Sequence, residues 1–150
     1  MIAELIEKDL KAAMLGGDKP KVQTLRTLKG ALQNEAISLG VKDSGLNDEQ
    51  LLKVLAKEAK KRQEAADLYF SANENQRAQL ELAEKAIIEA YLPEQLSEAQ
   101  INSLINDELS KLEEPSPADM GRIIGAVISR AGAQADGAQI AKLVKQALDR

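Results

Sequence analysis

Apolar residues recur along the chain at helical spacing, and nowhere do they alternate with polar ones as a half-buried strand requires. Ile2, Leu5, Ile6, Leu10 and Met14 share one face of a first helix over residues 2–15, which Gly16, Gly17 and Asp18 stop. Pro20 falls in the first turn of a second helix. Its stripe of Val22, Leu25, Leu28, Leu32, Ala36 and Leu39 runs to Gly40, a natural C-terminal glycine. Beyond a loop at 41–45, Asn47 and Gln50 are spaced as a capping box, with Leu46 and Leu51 as the hydrophobic staple around it. They open a third helix that runs to about Phe70. Asn73 and Gln76 predict another box and a fourth helix, which Pro93 ends by forcing Leu92 out of the helical region.

The same devices repeat after Pro93. Ser97 and Gln100 form a box with Leu96 and Ile101 as its staple, and Ile101, Leu104, Ile105, Leu109 and Leu112 follow as a fifth stripe. Ser116, Pro117 and Asp119 start a sixth helix carrying Met120, Ile123, Ile124, Val127 and Ile128, ended by Gly132. Asp136 caps a seventh with Ile140, Leu143, Val144, Ala147 and Leu148. Caps, staples and stripes agree throughout, so an all-α fold is predicted. It divides into an N-terminal hairpin or bundle of about four helices at 1–92 and a small three-helix domain at 94–150.

Composition sharpens this mainly by exclusion. The chain has no cysteine and no histidine, which removes disulfides, thiol nucleophiles, cysteine-ligated metals and the commonest general base. No apolar run approaches the ~20 residues of a bilayer span, and no secretory leader is legible, so a cytoplasmic protein without a membrane role is expected. Carboxylate pairs such as Asp48–Glu49 and Glu113–Glu114 read as solvated surface rather than as metal ligands or an acid–base pair. No phosphate loop, dinucleotide turn or nucleophile elbow occurs. The expectation is therefore no catalytic residue, no metal and no cofactor.

Charge is uneven. The net charge is −4, yet residues 119–150 hold five cations (Arg122, Arg130, Lys142, Lys145, Arg150) against three acids (Asp119, Asp136, Asp149). If the last two helices pack side by side, Arg122, Arg130, Lys142 and Lys145 could form one basic edge able to meet phosphates; a solvated face explains them as well. Gly121 and Gly125 lie four apart on the sixth helix, where glycine is costly. They imply either close helix–helix approach within the domain or a flat patch for a partner, bordered by Arg122. Asp136 and Gly137 begin the seventh helix, whose N–H groups could face an anion, although Asp136 already supplies a carboxylate there. On the second helix, Arg26, Lys29 and Gln33 make a further polar strip. The cations of the third helix, Lys53 to Arg62, are interleaved with acids and read mostly as a solvent face.

Three segments together resemble one family. Arg26-Thr27-Leu28-Lys29-Gly30-Ala31-Leu32-Gln33-Asn34-Glu35, Tyr91-Leu92-Pro93-Glu94-Gln95-Leu96-Ser97, and Asp119-Met120-Gly121-Arg122 through Ala135-Asp136-Gly137 look, in that order, like the YqeY family. The resemblance implies a helical N-terminal part joined to a small helical domain similar to the tail of the B subunit of glutamine-dependent aspartyl/glutamyl-tRNA amidotransferase. That tail helps hold tRNA, while the amide-transfer chemistry lies in domains without a counterpart here. The implied positions are Gly121, Arg122, Gly125, Asp136 and Gly137. Where lysines are common in the family, between the sixth and seventh helices, Gly132, Ala133 and Gln134 stand instead. The resemblance points first to a non-catalytic protein that binds tRNA or a tRNA-handling enzyme. A protein–protein adaptor is the alternative. The carbon–nitrogen ligase label with glutamine as donor comes last, as inherited from the shared tail.

Overall fold

The computed structural model describes residues 1–150. It consists of α-helices without strands: α1 (Ile2–Gly16), α2 (Lys19–Ser38), α3 (Asp48–Ser71), α4 (Asn75–Glu89), α5 (Glu98–Leu109), α6 (Met120–Ala131) and α7 (Gly137–Leu148). Short 3₁₀ turns at Pro117–Asp119 and Gly132–Gln134 precede and follow α6. The chain divides into two compact units, Met1–Leu92 and Pro93–Arg150.

Left-handed residues end the first three helices. Gly17, Gly40 and Asn73 all have positive φ (72°, 70° and 61°). In each case the next residue's N–H reaches back five positions, as from Val41 to the Ala36 carbonyl at 2.8 Å and from Glu74 to that of Tyr69 at 2.8 Å. Asn73 therefore closes α3 instead of capping α4, contrary to the expected box with Gln76. Asparagine tolerates the left-handed region, and that role takes its backbone out of the extended shape an N-cap needs. The boxes at Asn47–Gln50 and Ser97–Gln100 are present in both directions.

The first unit packs Ile6, Leu10, Leu25, Leu28, Leu51, Leu55, Ala59 and Ile88 into its core. Full burial of a leucine or isoleucine there contributes about 1.5–3 kcal/mol. On α1, Ala13 is buried, whereas Leu5 (46% exposed) and Met14 (51%) lie outside the stripe expected of them. α3 and α4 form a hairpin whose register is set by polar bonds across it. Arg62 Nε donates to Glu84 at 3.3 Å, and Lys85 Nζ donates to Gln63 Oε1 at 2.8 Å. Arg62 is thus no solvent residue: its side chain is 12% exposed and also pairs with Glu58, which is 8% exposed. At the end of the hairpin, the Tyr91 hydroxyl donates to Asp9 of α1 at 2.6 Å.

The second unit has its own core of Ile101, Ile105, Ile123, Val127, Ala131, Ile140, Leu143 and Val144. Leu96, the staple residue, packs against it, and its N–H donates to the Gln134 carbonyl at 2.7 Å. The segment before α5 is thereby tied to the turn between α6 and α7. Asp119 accepts the Ser116 N–H at 3.0 Å and holds the 3₁₀ turn that leads into α6.

Candidate functional site

The periodicity of α6 separates its polar positions into two flanks beside the buried Ile123, Val127 and Ala131. One flank carries Arg122, Ala126 and Arg130 at four-residue intervals, and it faces α5. Arg130 donates from Nη2 to Asp107 at 3.2 Å and from Nη1 to Glu108 at 3.3 Å. Glu108 also accepts from Lys111 at 3.0 Å. That hydrogen bond, with the charges of Lys111 and Arg130, outweighs desolvation and holds the Glu108 carboxyl below its usual value. Arg130 is therefore committed within the fold, and the expected edge through all four cations loses one member. Arg122 is exposed and borders a hollow of about 50 Å³ beside Glu108, Lys111 and Leu112, room for a water or two.

The other flank holds Gly121, Gly125 and Ile128. A Cβ built on either glycine meets nothing within 4 Å, and neither glycine has positive φ. Close helix–helix approach, one of the two readings of this pair, is thereby overturned: both face outward. Ile128 beside them is 41% exposed, unusual for the last large apolar residue of so regular a stripe. Its Cδ1 lies 3.6 Å from where a Gly137 Cβ would stand, so this flank of α6 continues onto the start of α7. Asp136 caps that helix by accepting the Ala138 N–H at 3.3 Å. Further along α7, Lys142 and Lys145 are exposed and neither takes part in an ion pair.

In the first unit, Arg26 and Gln33 are exposed on α2. Lys29 is not free, because its Nζ pairs with Glu7 of α1 at 2.8 Å. Sequence reasoning did not find that pair, the Glu58–Arg62–Glu84 cluster or the Tyr91–Asp9 bond. Lys29 and Glu7, Arg62 and Glu84, and Tyr91 and Asp9 lie 22 to 82 positions apart, beyond the reach of periodicity, whereas Glu58 and Arg62 stand four apart on α3, within it. Burial alone would raise the Glu58 carboxyl, but hydrogen bonds and charges from Arg62 and Lys61 together hold it below its usual value. Burial, then the Asp9 hydrogen bond and charge, push the Tyr91 hydroxyl up. An open depression lies along Ala3, Glu4, Glu7, Lys8 and Lys11 of α1, a charged helix face rather than an apolar pocket with converging polar groups. No three His, Cys, Asp or Glu side chains are grouped to hold a metal, and no helix is long and apolar enough to cross a membrane.

Comparison with known proteins adds a family. The family described as Yqey-like protein matches residues 3–148. Among curated proteins, the chain is 30% identical over 126 residues to altered inheritance of mitochondria protein 41, mitochondrial, of Meyerozyma guilliermondii, covering 81% of this chain and 64% of that protein. The protein of the same name in Lachancea thermotolerans is 28% identical over 115 residues, covering 75% and 60%. The chain thus spans less than two thirds of these relatives. Both names place those relatives in mitochondria and lend nothing to the expectation of a cytoplasmic chain.

Proposed function

The chain belongs to the YqeY family, and from that premise we propose that it is a non-catalytic binding protein whose C-terminal unit docks RNA of the tRNA class. The observation that carries this reading is the outward glycine flank of α6. Gly125 lies mid-helix, where it costs roughly 1 kcal/mol against alanine, and no contact within the protein uses the space it leaves. A flat stretch of this kind lets a phosphodiester backbone come close. Arg122, next to Gly121 in the chain, and Lys142 and Lys145 of α7, all exposed and none of them ion-paired, supply cations in the same unit. The similarity of residues 119–137 to an amidotransferase tail gives tRNA as the class.

The test is an anisotropy titration of labelled bulk tRNA with the full chain at several salt concentrations. The three C-terminal cations contribute about −2.7 to the slope of log K against log salt, and Lys142→Gln with Lys145→Gln makes the slope less negative by about 1.8. No binding, or binding indifferent to salt, overturns the proposal. A protein–protein adaptor is the second reading, favoured by the exposed Ile128 and the neutralised Arg130. On that reading Ile128→Ser abolishes capture of a protein partner and leaves tRNA unbound. Glutamine-dependent amide transfer ranks third, since the face offers cations and glycines rather than a nucleophile beside a base.

A further inference from the structure

We propose that the solvent face of α2 is a second docking surface for a phosphodiester backbone, built into the N-terminal unit; this rests on the reading of the chain as an RNA binder but not on the C-terminal face. Lys19, Gln23, Arg26, Gly30, Gln33 and Asn34 recur at helical spacing on the side of α2 opposite the buried Thr24, Leu25, Leu28 and Ala36. The stripe is about 22 Å long at 1.5 Å per residue, enough to follow several phosphates. It contains no acid. The one acid of α2, Glu35, lies half-buried away from it.

This differs from the other cation-rich helix of the unit. On α3, Lys53 pairs with Glu49 and Lys61 with Glu58, whereas Lys19 and Arg26 have no ion-pair partner. Gly30 stands at the centre of the stripe with nothing within 4 Å of its Cβ position and no positive φ. It therefore weakens the helix without serving the fold. Thr27, beside it, turns its hydroxyl back to donate to the Gln23 carbonyl at 3.0 Å, which leaves the two cations and three amides as outward donors. Cations interspersed with neutral amide donors suit phosphate oxygens, which accept from both. A protein partner would call for a cluster of large apolar or aromatic anchors, whereas this face carries a single one, Ile37, 57% exposed at its C-terminal end.

The experiment uses the full chain and bulk tRNA, with slopes read against salt. Lys19→Gln with Arg26→Gln makes the slope less negative by about 1.8. Gly30→Leu, placed in open space and favourable to helix, weakens binding by about tenfold while helical content holds. If both variants bind as the parent does while Lys142→Gln with Lys145→Gln loses slope, this proposal falls and the C-terminal reading stands. If only the α2 variants lose slope, the proposal stands and the C-terminal reading falls. Absence of any tRNA binding by the parent chain removes both. Should the α2 variants lose binding to phosphatidylserine vesicles and keep tRNA binding unchanged, the phosphodiester assignment is overturned.

Discussion

Replacing Gly125 with alanine should stabilise the C-terminal unit and weaken what it binds. Gly125 lies mid-helix in α6 (Met120–Ala131), its φ is not positive, and the added methyl meets nothing within 4 Å. Only the helix preference remains, so the gain is about 1 kcal/mol. Gly121, in the first turn, gives less. The unit from Pro93 to Arg150 is small. At roughly 0.05–0.15 kcal/mol per residue its whole stability is about 3–9 kcal/mol, and 1 kcal/mol is a visible share. Amide hydrogen exchange at Ile123 and Val127, both buried in this helix, reads the opening of the unit directly. The variant should slow it about fivefold if exchange follows the opening equilibrium. Unchanged or faster exchange would refute the reasoning, because it would mean that the glycine is held by a contact or a strained backbone. On the proposed function, the same variant binds tRNA more weakly although it is more stable.

Other outcomes follow from single contacts. The Thr24 hydroxyl is buried without a hydrogen-bond partner, so Thr24→Val should raise stability by about 1 kcal/mol in a urea melt. Glu58→Gln leaves Glu84 as the one carboxylate paired with Arg62 and should cost about 1–3 kcal/mol at neutral pH. The folded Glu58 carboxyl lies below its usual 4.5, so its contribution is complete above that value and is lost as pH falls through the lower folded value; acid melts of parent and variant should converge there. Tyr91→Phe removes the 2.6 Å bond to Asp9 and should cost about 1–2 kcal/mol. In the parent, absorbance titration should show Tyr91 ionising above the usual 10.0.

What was legible in the sequence were the features written locally. Asn47–Gln50 and Ser97–Gln100 declare helix starts within four residues, and the stripes of α6 and α7 state which side is buried. Asn73 misled because the same residue type suits an N-cap and a left-handed helix end, and only the backbone beyond it decides between them. Arg62 and Arg130 read as surface cations because their partners Glu84 and Asp107 stand more than twenty residues away. The glycines of α6 were legible as an anomaly, but whether they met a neighbour depended on packing that no local pattern carries. Leu5 and Met14 show the converse: at the rim of a short helix, apolar spacing outruns the core available to cover it.

The most direct test of the central claim is the glycine amides themselves, followed by two-dimensional amide NMR as bulk tRNA is added to the full chain. Gly121, Gly125 and Gly137 should shift first and furthest, with Lys142 and Lys145 moving alongside and the effect fading as salt is raised. If tRNA shifts resonances elsewhere while those three glycines stay fixed, the outward face of α6 is not where the chain meets RNA.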